Sequence, residues 1–101
     1  MAKTVHQGDV LKLGDFQIPV LVVSTDFFNE TEFVMACPVT KTGLESPLHI
    51  EINTQKVSGF VRCEDVKKLD TRTRGFSTID HIDMASIIDI TDTIQGIFDY
   101  I

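Results

Sequence analysis

At 101 residues, with 43% hydrophobic and 24% charged side chains, the chain is sized for one hydrophobic core and has the balance of a globular domain rather than a disordered one. No apolar run approaches the ~18 residues needed to span a membrane. Met1 to Gln7 lacks the apolar segment of a signal peptide, so a single cytosolic domain over residues 1–101 is expected. The net charge of −6 argues against indiscriminate nucleic-acid binding, but the charge is unevenly spread. Residues 1–55 carry three basic against seven acidic side chains, and residues 75–101 carry five aspartates with no Lys or Arg. Residues 56–74 hold six of the nine basic side chains against three acids, a local balance of +3.

In chain order, Gly8 to Phe16 reads as a strand bounded by glycines, with Val10, Lys12 and Gly14 opposite Leu11 and Leu13. Gln17-Ile18-Pro19 is a short turn. Val20 to Ser24 is an apolar run of strand length, expected to be covered on both faces. Thr25 to Glu30 reads as a loop with a single helical turn, its Phe27 and Phe28 plugging the rim of the core. Phe33 to Val39 is a third strand, expected to end at Pro38, before a polar loop broken by Gly43. Leu48 to Ile52 alternates as a half-buried strand, and Asn53 to Lys56 turns the chain back.

Gly59 to Glu64 follows as a strand. Val61 and Cys63 point to one face, and Phe60, Arg62 and Glu64 to the other. Val66 to Thr71 is a further strand, and Ser77 to Asp83 is a connector carrying helix-start signals. The one long helix begins near Met84: Met84, Ile87, Ile90, Ile94, Ile97 and Ile101 recur every three or four residues, with Ile88 and Phe98 widening the stripe. Gly96 inside it suggests close packing. Short strands followed by one amphipathic helix describe a mostly β fold, a small, strongly bent antiparallel sheet or partial barrel with a C-terminal α-helix.

Metal-binding patterns are missing. Cys37 and Cys63 lie in apolar runs and fit no Cys-x-x-Cys or Cys/His spacing, which makes them buried free thiols. His6, His49 and His81 are scattered, and no cofactor or metal is expected. The Arg62/Glu64 pair admits two readings. A cation and a carboxylate on one rigid face can hold a phosphodiester and take a proton from a neighbouring hydroxyl. The same residue types also make ordinary salt bridges on a sheet surface.

Taken together, Gly8-Asp9-Val10, Pro19 to Ser24, Asp26-Phe27-Phe28-Asn29, Cys37-Pro38-Val39-Thr40, Gly59 to Glu64 and Leu69 to Arg74 resemble the MazF/PemK (Kid) toxin family, in the right order over nearly the whole chain. The resemblance implies an SH3-like barrel with a C-terminal helix, a homodimer, and a metal-independent endoribonuclease acting on single-stranded RNA. It also implies a cognate antitoxin as partner.

Residue by residue, Arg62-Cys63-Glu64 is similar to the Arg-Cys-Asp of the PemK/Kid branch, with Glu for Asp. Thr40 matches the threonine after the Pro-Val motif. This casts Glu64 as the base, Arg62 as the charge stabiliser and candidate acid, and Thr40 as an orienting donor. Lys41, Lys67, Arg72 and Arg74 are the expected RNA contacts. Two features depart from the pattern: Ile18 stands where the family usually has an arginine before the proline, and the first loop is reduced to Phe16-Gln17-Ile18. A catalytically weakened member serving as a dimeric antitoxin- or RNA-binding module is the alternative. A gyrase-poisoning, CcdB-like toxin is disfavoured, because the chain has no Trp.

Overall fold

The computed structural model describes residues 4–14, 16–42 and 45–98. Seven strands are present among them: β1 (Asp9–Leu13), β2 (Val20–Val22), β3 (Phe33–Thr40), β4 (His49–Asn53), β5 (Ser58–Arg62), β6 (Lys67–Asp70) and β7 (Phe76–His81). Two four-residue helices, α1 (Asp26–Asn29) and α2 (Thr71–Arg74), interrupt them, and α3 (Met84–Phe98) follows the last strand. All pairings are antiparallel, in the order β4-β5-β3-β2-β1-β7, with β6 added to β3. The mostly β fold with a C-terminal helix, built on a strongly bent antiparallel sheet, agrees with the sequence reading.

β3 is the hinge of the sheet. Its first half, Phe33 to Ala36, pairs with β6, and its last two residues, Val39 and Thr40, pair with β5. Along its other edge Ala36 to Pro38 pair with β2. The strand therefore does not end at Pro38. The Val39 N–H donates to the Pro19 carbonyl at 2.9 Å, so the neighbouring peptide at Pro38 faces the opposite edge, in the gap between β6 and β5. A residue without an N–H is tolerated there because no ladder bond is required of it.

Strand alternation divides the buried side chains into two clusters. Val10, Leu21, Cys37 and Val39 face Val61, Cys63, Ile87 and Ile90, while Leu11, Leu13, Val20, Val22, Val34 and Ala36 pack on the other side with Leu69. β2 is covered on both faces, as its unbroken apolar run requires. In β1 the residues Val10, Leu11 and Leu13 are all buried, and a register shift against β7 falls between Val10 and Leu11, within this run.

Several local expectations are corrected. Residues 77–83 are not a connector: most of them belong to β7, whose exposed and half-buried pattern masks its pairing with β1. Thr71 to Arg74 leave the sixth strand as a helical turn capped by Asp70, whose side chain accepts from the Arg72 N–H. Phe27 does not plug the core, being 84% exposed. The α3 stripe is narrower than its sequence: Ile87 and Ile90 are buried and Ile94 packs against the core, whereas Met84, Ile88, Ile97 and Phe98 are exposed. Ile101 and Gly43 lie outside the described residues. A Cβ on Gly96 would meet nothing within 4 Å, so no close packing explains that glycine. Gly8 does have such a reason. Its φ is +95°, a backbone conformation that L side chains rarely adopt, and a Cβ there would lie 2.4 Å from the Ile87 Cδ1, so a side chain would strain the backbone and displace the Ile87 side chain.

Both thiols are buried and free. Burial raises the Cys37 thiol to about 12 and the Cys63 thiol to about 11. Neither carries appreciable thiolate at neutral pH, and both are expected to label with a thiol reagent only on unfolding. Labelling of native protein as fast as denatured protein would contradict the packing of the β3–β5 layer.

Candidate functional site: a basic groove

Strand register builds the site. Thr40 pairs with Phe60 at the end of β3, and Arg62 pairs with His49 at the end of β5. Paired residues share a face, and so do residues two apart, which places Thr40, Phe60, Arg62 and His49 on one face of the β3-β5-β4 layer. Val39 and Val61, on the opposite face, anchor that layer in the core. The strands approach closely at this point: a Cβ on Gly59 would lie 2.7 Å from the Thr40 carbonyl oxygen, so only glycine fits beside it. Arg62 Nε donates to Thr40 Oγ1 at 3.2 Å.

Thr40 and Arg62 line a groove of ≈ 710 Å³ together with Ile18, Pro19, Lys41, Lys56, Val57 and Ile79. Among the described residues its lining includes three cations, Lys41, Lys56 and Arg62, and no carboxylate. Among the described residues none of the three makes an ion pair. In a protein of net charge −6 such a groove concentrates positive potential and suits an anion. Lys56, not singled out in the sequence, is placed by its turn: Thr54 bonds Val57, and the Lys56 N–H donates to Asp80 of β7 at 3.2 Å.

Glu64 is not where strand alternation puts it. β5 stops at Arg62, and Cys63–Asp65 is a 3₁₀ turn, with the Cys63 N–H bonded to the Leu48 carbonyl at 3.0 Å. Arg62 and Glu64 therefore do not share a strand face, and Glu64 does not line the groove. The carboxylate instead meets His49, with Nε2 to Oε2 at 2.7 Å. The imidazole is almost buried, 8% exposed, while Glu64 is 36% exposed. The His49 hydrogen bond, together with the nearby Arg62 charge, holds the Glu64 carboxyl below its ordinary range. A depressed carboxyl stabilises the fold when ionised, so this contribution is present at neutral pH and lost as pH falls through the lowered value.

The other expected contacts scatter. Lys41 lines the groove. Lys67 is exposed on β6, which pairs with the opposite half of β3. Arg72 is taken up by Asp70 at 3.2 Å and Glu32 at 3.5 Å, with its guanidinium over the Phe33 ring, and does not line the groove. Arg74 closes α2, and its side chain lies outside the described residues. Among the described residues no group of three or more His, Cys, Asp and Glu is placed to hold a metal ion. No helix there is long and apolar enough to cross a membrane.

A model of the PemK-like, MazF-like toxins of type II toxin-antitoxin systems matches residues 13–98. The chain belongs to this family. No curated protein matches it by sequence. Among solved structures it is similar to MazF in the MazE-MazF complex of Deinococcus radiodurans, with a TM-score of 0.87 at 23% identity, covering 96% of this chain and 98% of that one. An endoribonuclease from a Mycobacterial species gives 0.83 at 20% identity, covering 97% and 94%. An endoribonuclease in complex with its cognate antitoxin, also from a Mycobacterial species, gives 0.79 at 20% identity, covering 93% and 94%. At these identities the likeness establishes the shared fold. In the family's terms, Ile18 lies on the groove wall, where the resemblance leads one to look for an arginine.

Proposed function

We propose that this family member is the toxin of a type II toxin-antitoxin pair and acts as an endoribonuclease on single-stranded RNA in the cytoplasm. The observation that carries the reading is the groove itself: among the described residues its lining holds three cations that make no ion pair and no acid, in an otherwise acidic chain. RNA supplies its own nucleophile, the 2′-hydroxyl beside the scissile phosphate. Glu64, on the turn directly after Arg62 at the edge of the groove rather than in its lining, takes that proton, Arg62 stabilises charge on the phosphoryl oxygens, and Thr40 orients through its bond to Arg62. An arginine is a poor proton donor near neutrality, so its role is electrostatic. Lys41 and Lys56 hold flanking phosphates, and Phe60, on the face of Thr40 and Arg62, offers a ring for a base. The chemistry calls on no metal. Expression of the chain alone is expected to arrest bacterial growth while the Glu64→Gln chain does not; equal growth with both would contradict the reading.

The working unit we propose is a homodimer over the single domain, neutralised by a cognate antitoxin. The exposed Met84, Ile88, Ile97 and Phe98 of α3 support a covered face. Sedimentation equilibrium at micromolar concentration should give twice 11.3 kDa, and a monomer would remove this part of the reading.

Ile18 on the groove wall favours a second reading, a binding module with weakened catalysis, because the wall lacks one cation there. Under it the parent is inert on RNA and Ile18→Arg gains cleavage; under the first reading the parent already cleaves.

A further inference from the structure

His49 lies on the same face as Arg62, directly across the β4–β5 ladder, and its ring meets Glu64 rather than solvent. The turn carrying Glu64 is fixed to the same strand by the bond from the Cys63 N–H to the Leu48 carbonyl at 3.0 Å, one residue before His49. Backbone and imidazole thus grip a single exposed carboxylate from one strand. Surface ion pairs rarely recruit an almost buried ring, because burying a polar group must be offset by its bonds.

We propose that His49 is a positioning residue for Glu64. Its Nε2 holds Oε2 so that Oε1 is the oxygen that takes the 2′-hydroxyl proton beside Arg62. This inference rests on the endoribonuclease reading above. In the step, the O2′–H bond breaks and its proton passes to Oε1. The O2′–P bond forms as the P–O5′ bond breaks, and the departing O5′ takes a proton from water or from Glu64. The products are a 2′,3′-cyclic phosphate and a 5′-hydroxyl. Because His49 acts only through Glu64, removing it after Glu64 has been neutralised should change nothing further.

The charged groups around Glu64 are few. They are His49 on β4, Arg62 on β5, Asp65 on its own turn, and Asp89 on α3, the helix that packs against the turn. The His49 hydrogen bond is the main cause that lowers the Glu64 carboxyl, with the Arg62 charge a smaller one, so loss of His49 leaves Arg62 as the remaining side chain that lowers it. The acid limb of the rate profile should then move up toward the range of an ordinary glutamate.

The test is a double-mutant cycle on RNA cleavage by the purified protein, comparing the parent with His49→Gln, Glu64→Gln and the double variant. Glutamine is polar and similar in size but lacks the rigid, chargeable ring that fixes Nε2 on Oε2, and circular dichroism melts confirm folding. His49→Gln is expected to lower kcat roughly 10-fold with KM within about twofold, to shift the acid limb upward, and to add less than twofold on top of Glu64→Gln. Multiplicative losses, or an acid limb that does not move, would overturn the positioning role while leaving the endoribonuclease reading intact. A folded parent that leaves RNA uncut overturns that reading and this inference together.

Discussion

Arg62→Ala and Glu64→Gln are each expected to slow RNA cleavage by on the order of 10²-fold or more. The two losses have different causes. Alanine at 62 removes a groove cation that makes no ion pair among the described residues, so charge developing on the phosphate loses its nearest partner. It also frees Thr40 Oγ1 from its 3.2 Å bond and so loosens the orienting donor. The loss should therefore fall on both kcat and KM. Glutamine at 64 is nearly isosteric and can still accept from His49, but it cannot take a proton, so its loss should fall on kcat alone. Neither change should cost more than about 1 kcal/mol of stability, since neither side chain is part of the buried core. Cleavage rates with folding checked by thermal melts decide the matter. Unchanged rates in both variants would mean that another group does the chemistry.

The largest stability effect is expected from Ile90→Ala, at about 2–5 kcal/mol. Ile90 is fully buried and belongs to the cluster that joins α3 to Cys37, Val61 and Cys63. Only Ile87 and Ile90 of the helix are buried, and Ile94 is partly so, so the helix docks through very few side chains. Against a domain stability of roughly 5–15 kcal/mol, losing one of them is a large fraction. Ile88→Ala, a residue two positions away and 52% exposed, is the control and should change stability by about 0.5 kcal/mol or less in the monomer. Urea unfolding of both variants checks the contrast. Equal costs at 88 and 90 would show that the helix is rotated about its axis.

Where burial follows local pattern, the sequence could be read directly. The unbroken run Val20 to Val22 had to be covered on both sides, and it is. The two cysteines sat in apolar surroundings and are buried. The errors arise where tertiary partners override local signals. Pro38 continues a strand because its missing donor faces a gap between two partner strands, a fact of topology. β7 reads as a connector because its burial comes from pairing with β1 rather than from its own composition. Alternation through Arg62-Cys63-Glu64 placed both charged groups on one face, but the turn after Arg62 breaks that alternation. The acid is instead held by a histidine 15 positions earlier. Nothing in the spacing of three scattered histidines points to carboxylate partners, yet His6 meets Asp26 and His81 meets Asp9, both at 2.8 Å, and His49 meets Glu64. Lys56 was visible only as part of a positive zone. Its place in the groove depends on Asp80, 24 residues on.

The most direct measurement incubates the purified protein with a long single-stranded RNA in EDTA and analyses the ends of any fragments. The proposed site predicts discrete fragments ending in 2′,3′-cyclic phosphate and 5′-hydroxyl, formed without added metal and abolished together by Arg62→Ala and Glu64→Gln. RNA left intact by the folded protein, or cut with 5′-phosphate ends, would contradict it.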